Sequence, residues 1–409
     1  MAERHGRTSP TTLLILPFMA VLTVACLIFS ETKYLLPISR QMSSTTDIDL
    51  PPKPRVSLFG PGTVKFPRTL KGVAAKFPSS PSAASKDRMF LAFYYPWYIR
   101  DDWSRHGTQG STPLLGHYGS NEIDVAERHI DMAVRGGIDA WVVSWGNQDI
   151  LTANFVTGML SAKNIDKIKF CMLYESMGNL PVDSDFANGT LALDKFILDM
   201  IFFRDSYFGH PSYLHINGRP VVYVYITREW KNFEPFMLEK IKTAVGKDIL
   251  IIADDPYFGH NTEPATAQNG VKNAKPVFEA YTAYNMYESK LVREGEKAVD
   301  YMLREALPIF EKWSRETVFF PHVLPKYHDF REGHKPMVGD AAGLLTQLET
   351  FACLPRPLCY KNKFPNLMFV TSFNEWWEGT SIEPDVKDEY GFTFLDTIKA
   401  FKDLGVQCQ

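Results

Sequence analysis

The 409-residue sequence is poor in several features that commit a chain to a particular chemistry. Its net charge is only −3 and it has no long run of lysine or arginine, so it lacks the electrostatic footprint of a nucleic-acid partner. It has five cysteines, Cys26, Cys171, Cys353, Cys359 and Cys408, and none stands in C-x-x-C spacing. H-x-H and H-E-x-x-H are absent, and His106, His117 and His328 fall in stretches that read as loops, so no hydrolytic metal site is expected. No G-x-G-x-x-G follows the first strand-like run, and there is no P-loop or G-x-S-x-G, so no cofactor is expected either. Cys353 and Cys359 flank a five-residue stretch that a disulfide would close in an oxidising compartment.

What is present begins with a long apolar stretch. Residues 1–10 are polar and carry Arg4 and Arg7. Residues 11–30 then form an almost unbroken apolar run, about long enough for one tilted transmembrane helix. Arginines before that run predict a cytoplasmic tail, a signal anchor and a lumenal remainder. A cleaved signal peptide is the alternative. Residues 31–87 are rich in Ser, Thr, Pro and Lys, with no sustained apolar period, and read as a disordered stem. Asn188-Gly189-Thr190 is a glycosylation acceptor if the body is lumenal.

From residue 88 to 409, short apolar runs alternate with helix-patterned segments. Strands are expected at 89–95, 138–145, 168–174, 220–226, 249–253, 277–284, 318–324 and 367–373. Helices are expected at 122–135, 150–163, 191–203, 236–245, 294–313, 341–351 and 394–404. Eight β/α alternations predict a (β/α)8 TIM barrel, with a doubly wound open sheet as the competing α/β fold. Catalytic groups of such barrels sit at the C-terminal ends of the strands. There the sequence places Tyr94, Tyr95, Trp97, Trp145, Tyr174, Glu175, Tyr223, Tyr225, Asp254, Asp255, Tyr281, Tyr284, Tyr327, Glu375 and Glu378. Aromatic faces and carboxylates together suit a carbohydrate ligand.

The densest signal is the last strand and its sequel, Thr371-Ser372-Phe373-Asn374-Glu375-Trp376-Trp377-Glu378-Gly379-Thr380. Two carboxylates three residues apart, wrapped in tryptophan, stand where a strand becomes a loop. Unpaired buried carboxylates are costly, so chemistry is the better reason for them. Glycosidic cleavage needs two carboxyls, one protonated and one ionised, which an apolar wall separates in pKa.

That stretch, with Ile382-Glu383, with Phe93-Tyr94-Tyr95-x-Trp97-Tyr98 and with Val143-Ser144-Trp145, resembles glycoside hydrolase family 99, the glycoprotein endo-α-1,2-mannosidases, over roughly residues 88–405. The resemblance implies a retaining endo-acting α-mannosidase in a (β/α)8 barrel that cleaves glucosylated N-glycans. It implies a Golgi membrane protein, single-pass type II, with the catalytic domain in the lumen. It gives Glu375 the task of deprotonating the sugar's own 2-hydroxyl, which attacks C1 to form a 1,2-anhydro sugar, and gives Glu378 the acid/base task. Trp145 is expected to stack on the sugar, and Tyr327 to lie near the reaction centre. Tyr95, Glu175, Tyr284, Asn374 and Trp377 complete the expected substrate contacts. Trp377 stands where the family usually has His, and Gly146-Asn147-Gln148 replaces its Tyr-Pro-Pro, so substrate identity is the open question. A glycosidase for another α-linked polysaccharide and a non-catalytic glycan-binding barrel are the alternatives. The partners expected are a glycan and, through the N-terminal helix, a membrane; a monomer is expected.

Overall fold

The structure is a computed structural model that describes residues 88–103, 112–146, 150–181, 184–187, 191–256, 277–284, 291–329, 334–356, 363–386 and 391–405. The expected tail, anchor and stem lie outside the described residues, as do the acceptor at 188–190 and His106. Among the described residues no helix is long and apolar enough to cross a membrane.

Eight parallel strands form the frame: β1 (Arg88–Tyr94), β2 (Ala140–Trp145), β3 (Lys169–Tyr174), β5 (Arg219–Val224), β6 (Leu250–Asp254), β7 (Ala280–Thr282), β8 (His322–Val323) and β9 (Asn366–Val370). They are hydrogen-bonded in the order β7-β6-β5-β3-β2-β1-β9-β8. The ring is completed by the chain just before β8, where Phe319 bridges Tyr281 of β7. Tyr281 donates to Val318 O at 2.8 Å and accepts from Phe320 N at 2.9 Å. This is the expected barrel, not an open sheet. A two-residue strand, β4 (His215–Ile216), pairs antiparallel with β5 and was not expected. It is too short to show a period, and the Asn217-Gly218 turn beside it is its only signal.

The strands alternate between an inner and an outer face, and the alternation decides which expected residues reach the mouth. The inner face is aromatic. Phe93 packs edge-on against Tyr223 at 5.0 Å and stacks on His322 at 5.3 Å and Phe369 at 5.8 Å. His322 is fully buried between two aromatic rings, and burial holds its pKa well below the usual value. The outer face meets the helices. Tyr94 stacks on Trp141 at 4.3 Å, and its hydroxyl lies 3.2 Å from His129 Nδ1 on helix Ile123–Arg135.

That helix starts one residue later than expected and ends at Arg135, where Gly136 and Gly137 follow. A Cβ on Gly136 would come within 2.5 Å of the Leu395 side chain, so the glycine lets helix Thr393–Leu404 close on it. Helices Ala192–Phe203, Pro235–Val245 and Ala341–Ala352 lie close to the expected positions. The long helix expected at 294–313 is instead three successive pieces, Ala298–Tyr301, Met302–Ala306 and Leu307–Glu316, the middle one wound as a π turn ahead of Pro308. The segment at 150–163 likewise turns from α to π winding at Phe155. Cys353 is disulfide-bonded and Cys359 lies outside the described residues, while Cys171 is free and buried.

Candidate active site

The candidate site is built on the turn after β9. Ser372 closes that turn on itself. Its N–H donates to Thr380 O at 3.1 Å, its hydroxyl lies 2.8 Å from Thr380 Oγ1, and its Oγ accepts from Glu375 N at 2.8 Å. Thr380 N donates back to Glu375 O at 3.2 Å. Within this loop Glu375 is 2% exposed and turns its carboxylate onto the following backbone. Glu375 Oε1 accepts from Trp377 N at 2.8 Å and Glu378 N at 3.4 Å. Glu378 is only partly buried. Burial, and then the Glu378 charge, push the Glu375 carboxyl well above the ordinary carboxylate range; the two amides pull the other way and the Glu175 charge adds to the rise. The pair therefore meets the requirement for two carboxyls in unlike environments.

The turn is held from β1. Asn374 accepts from Tyr95 N at 2.8 Å and donates to Tyr95 O at 3.0 Å, so both ends of its amide serve the backbone. Tyr98 donates to Asn374 O at 2.6 Å and accepts from Trp376 N at 3.1 Å. The Trp376 indole N–H goes to the buried Glu383 at 2.8 Å. Glu383 also accepts from Tyr118 OH at 2.8 Å and lies 3.1 Å from His129 Nε2. Tyr98, Tyr118, His129, Ser372 and Glu383 were not among the expected site residues. Tyr98, Ser372 and Glu383 stood in the motifs that carry the resemblance, without a role of their own; Tyr118 and His129 had no sequence signal. Those two are ordinary residues until the fold brings them to Glu383.

The other expected residues divide by face. Tyr95 points into the mouth, where its hydroxyl donates to Tyr284 OH at 2.5 Å and its ring stacks on Trp97 at 4.5 Å. Tyr225 meets Tyr284 edge-on at 5.7 Å. Glu175 also faces inward and accepts from Ser144 Oγ at 2.8 Å. Trp145 does not reach the mouth. It shares the outer face of β2 with Trp141 and Val143, and its ring lies edge-on to Phe203 at 4.8 Å and stacked on Tyr174 at 5.8 Å. The sequence offered no apolar place for a tryptophan ahead of Gly146; helix Ala192–Phe203 supplies one. Tyr174 and Tyr281 are turned outward too, Tyr174 donating to Asp199 at 2.8 Å and Tyr281 packing on Trp313.

Tyr327 is fully buried, pairs with Met337 through both backbone groups, and bonds His334 through its hydroxyl. Beside it, Lys326 Nζ lies 5.9 Å over the Trp376 ring and His328 N donates to Glu378 O at 2.9 Å, so the loop after β8 rests on the turn after β9. Trp377 is partly buried and contributes its N–H to Glu375. Asp254 is a structural tie: it accepts from Tyr284 N at 2.8 Å and Ile226 N at 3.1 Å and pairs with Arg228 at 3.4 Å. His117 stacks on Trp103 at 4.8 Å. Among the described residues no group of three or more His, Cys, Asp or Glu is arranged to hold a metal.

Burial, opposed by the Ser144 hydroxyl and aided by the Asp254 charge, pushes the Glu175 carboxyl up to about 7. The folded chain keeps this proton to about pH 7, whereas the unfolded chain releases it near its ordinary value of 4.5. Folding stability therefore falls as pH rises between those values, by up to about 3 kcal/mol. In Glu175→Gln, which still accepts from Ser144, that loss is expected to vanish. Melting curves of both proteins from pH 4 to 8 check this; parallel curves would contradict it.

A (β/α)8 barrel with a carboxylate pair at the mouth of its last strand is the architecture of many glycan-processing enzymes. An endo-α-mannosidase of glycoside hydrolase family 99 from Bacteroides thetaiotaomicron has the same fold, with a TM-score of 0.54 at 19% identity over 77% of this chain and 96% of that one. A second structure of the Bacteroides thetaiotaomicron family 99 endo-α-mannosidase gives 0.52 at 18% identity, over 77% and 98%. A protein described as glycoside hydrolase-like gives 0.60 at 17% identity, over 82% and 99%. The chain itself belongs to the family described as glycosyltransferase WbsX, whose model matches residues 186–398, just over half of its length. No curated protein matches it in sequence.

Proposed function

We propose that this protein is a retaining endo-acting α-mannosidase that cleaves α-1,2-mannosidic bonds in N-glycans, glucosylated ones included. The observation that carries the reading is the unequal burial of one carboxylate pair within one turn, Glu375 enclosed and Glu378 partly open. Burial that disfavours the ionised form also makes the Glu375 carboxylate a strong base, so in the reactive form of the pair, with its one proton on Glu378, Glu375 suits removal of the 2-hydroxyl proton. O2 then attacks C1, the C1–oxygen bond to the leaving sugar breaks, and Glu378 gives its proton to that oxygen. In the second half a water attacks C1 and yields a proton to Glu378. The C1–O2 bond opens, and O2 recovers its proton from Glu375. Two displacements at C1 give net retention. The partly open position of Glu378 suits the group that must exchange with solvent. The Golgi-lumen location that the resemblance implies belongs to the same reading, since its substrate is a lumenal glycan.

The family description favours a second reading, in which a sugar hydroxyl replaces water in the second half and the product is a new glycoside. Incubating the full-length protein with a mixed pool of high-mannose N-glycans, with and without an added mannoside acceptor, separates the two. Release of a free glucosylated or unmodified mannose unit of α configuration is the expected result. A product that retains the acceptor would favour transfer. Binding of the glycans with no product of either kind would leave a glycan-binding barrel.

A further inference from the structure

At the end of the barrel opposite Glu375, β1 and β9 start side by side, Arg88 in register with Asn366. Arg88 donates through Nη2 to Ala352 O at 3.1 Å, at the end of helix Ala341–Ala352. Arg356 donates through Nη2 to Pro365 O at 3.0 Å and through Nη1 to Asn366 Oδ1. Each guanidinium carries five N–H groups, so among the described residues most donors remain unspent. Neither arginine meets a carboxylate among the described residues. Both line one small cleft, about 20 Å³, with Ser314, which is 2% exposed and whose hydroxyl has no hydrogen-bond partner among the described residues. The remaining walls are largely apolar, Phe319, Phe351 and Leu354 among them.

Capping of the Ala352 carbonyl explains one N–H of Arg88 and nothing of Ser314. It also leaves two like charges facing one another in partly dry surroundings, which costs free energy without a counter-charge. Burial and the Arg356 charge lower the Arg88 pKa to about 10, the direction two uncompensated neighbours impose. We propose that Arg88, Arg356 and Ser314 form a binding site for one small tetrahedral oxyanion, phosphate or sulfate, at the foot of the barrel. Planar guanidinium forks match the edges of such an ion, and the serine hydroxyl supplies a third donor. The ion would clamp the start of the β1–β9 pairing to the end of helix Ala341–Ala352, far from the carboxylate pair and independent of its chemistry.

The test is the melting temperature of the full-length protein in rising phosphate or sulfate, against chloride at matched ionic strength. A saturable rise of about 3 °C is expected from mass action on the folded state. It should be absent in Arg356→Gln and need several-fold more phosphate in Ser314→Ala, which keeps both charges and serves if the arginine variant does not fold. Mannose 6-phosphate is run in parallel: an equal rise identifies an ester-borne phosphate as ligand, and a rise with the inorganic ions alone identifies a free ion. A melting temperature that follows ionic strength only, or a phosphate response that both variants retain in full, overturns the proposal.

Discussion

Glu375→Gln is expected to lower kcat/KM on an α-mannoside by about 10³-fold or more while raising the melting temperature. General acid–base groups contribute about 10²–10⁴-fold, and the amide can neither take nor return the 2-hydroxyl proton. The gain in stability has the same origin as the loss in rate. Burial and the neighbouring Glu378 charge make an ionised Glu375 unfavourable in the folded chain, and Gln removes the ionisation. The folded state holds that proton above the pH at which the unfolded chain loses it, so the wild type loses stability as pH rises through the window between the two values. The variant should hold its melting temperature through that window. Assays and melting curves run on the same preparations decide the matter. Full activity in Glu375→Gln would sink the assigned role, and a lower melting temperature in the variant would contradict the burial argument.

Gly379→Ala is expected to cost about 2–4 kcal/mol and to reduce activity by about 10²-fold. Gly379 has φ +62°, and a Cβ there would come within 2.6 Å of His328 O and 2.8 Å of His328 N. His328 N also donates to Glu378 O, so the turn cannot back away without giving up that bond. The main-chain shift is passed to Glu378, and a displacement of about 1 Å at a reacting group is enough for the expected loss. Gly116→Ala is the matched control, with φ +72° and nothing within 4 Å of the added methyl. It should show only the left-handed backbone term, about 1 kcal/mol, and keep its activity. If the two alanine variants melt alike, close approach to His328 is not what the glycine provides.

The barrel was readable because parallel strands buried on both faces appear as unbroken apolar runs, and eight of them occur with room for a helix or loop between each pair. The carboxylate pair was readable because Glu375 and Glu378 are neighbours in sequence. Trp145 shows where this kind of reading stops. Its position at a strand end was legible, but its face depends on register parity and on Phe203 in a helix nearly sixty residues later. The same holds for Ser144, one residue earlier and facing inward to Glu175, and for Tyr118 and His129, which meet Glu383 only in the folded chain. Asp254 is the converse, an acid at a strand end whose bonds all go to neighbouring strand ends and to Arg228.

The loop from Ser372 to Thr380 is stitched shut by its own backbone and hydroxyls, and is gripped from below by Tyr98 and Glu383. Such a loop behaves as a cassette. The strand-end loops other than the one after β8, which holds Glu378 through His328, can lengthen, shorten or exchange side chains without moving the pair of acids. Lineages with this barrel are thus free to retarget from one glycan to another by redrafting the rim. An engineer seeking a new linkage preference would do well to leave the Ser372–Thr380 segment and its β1 anchors untouched and to diversify the loops that face them.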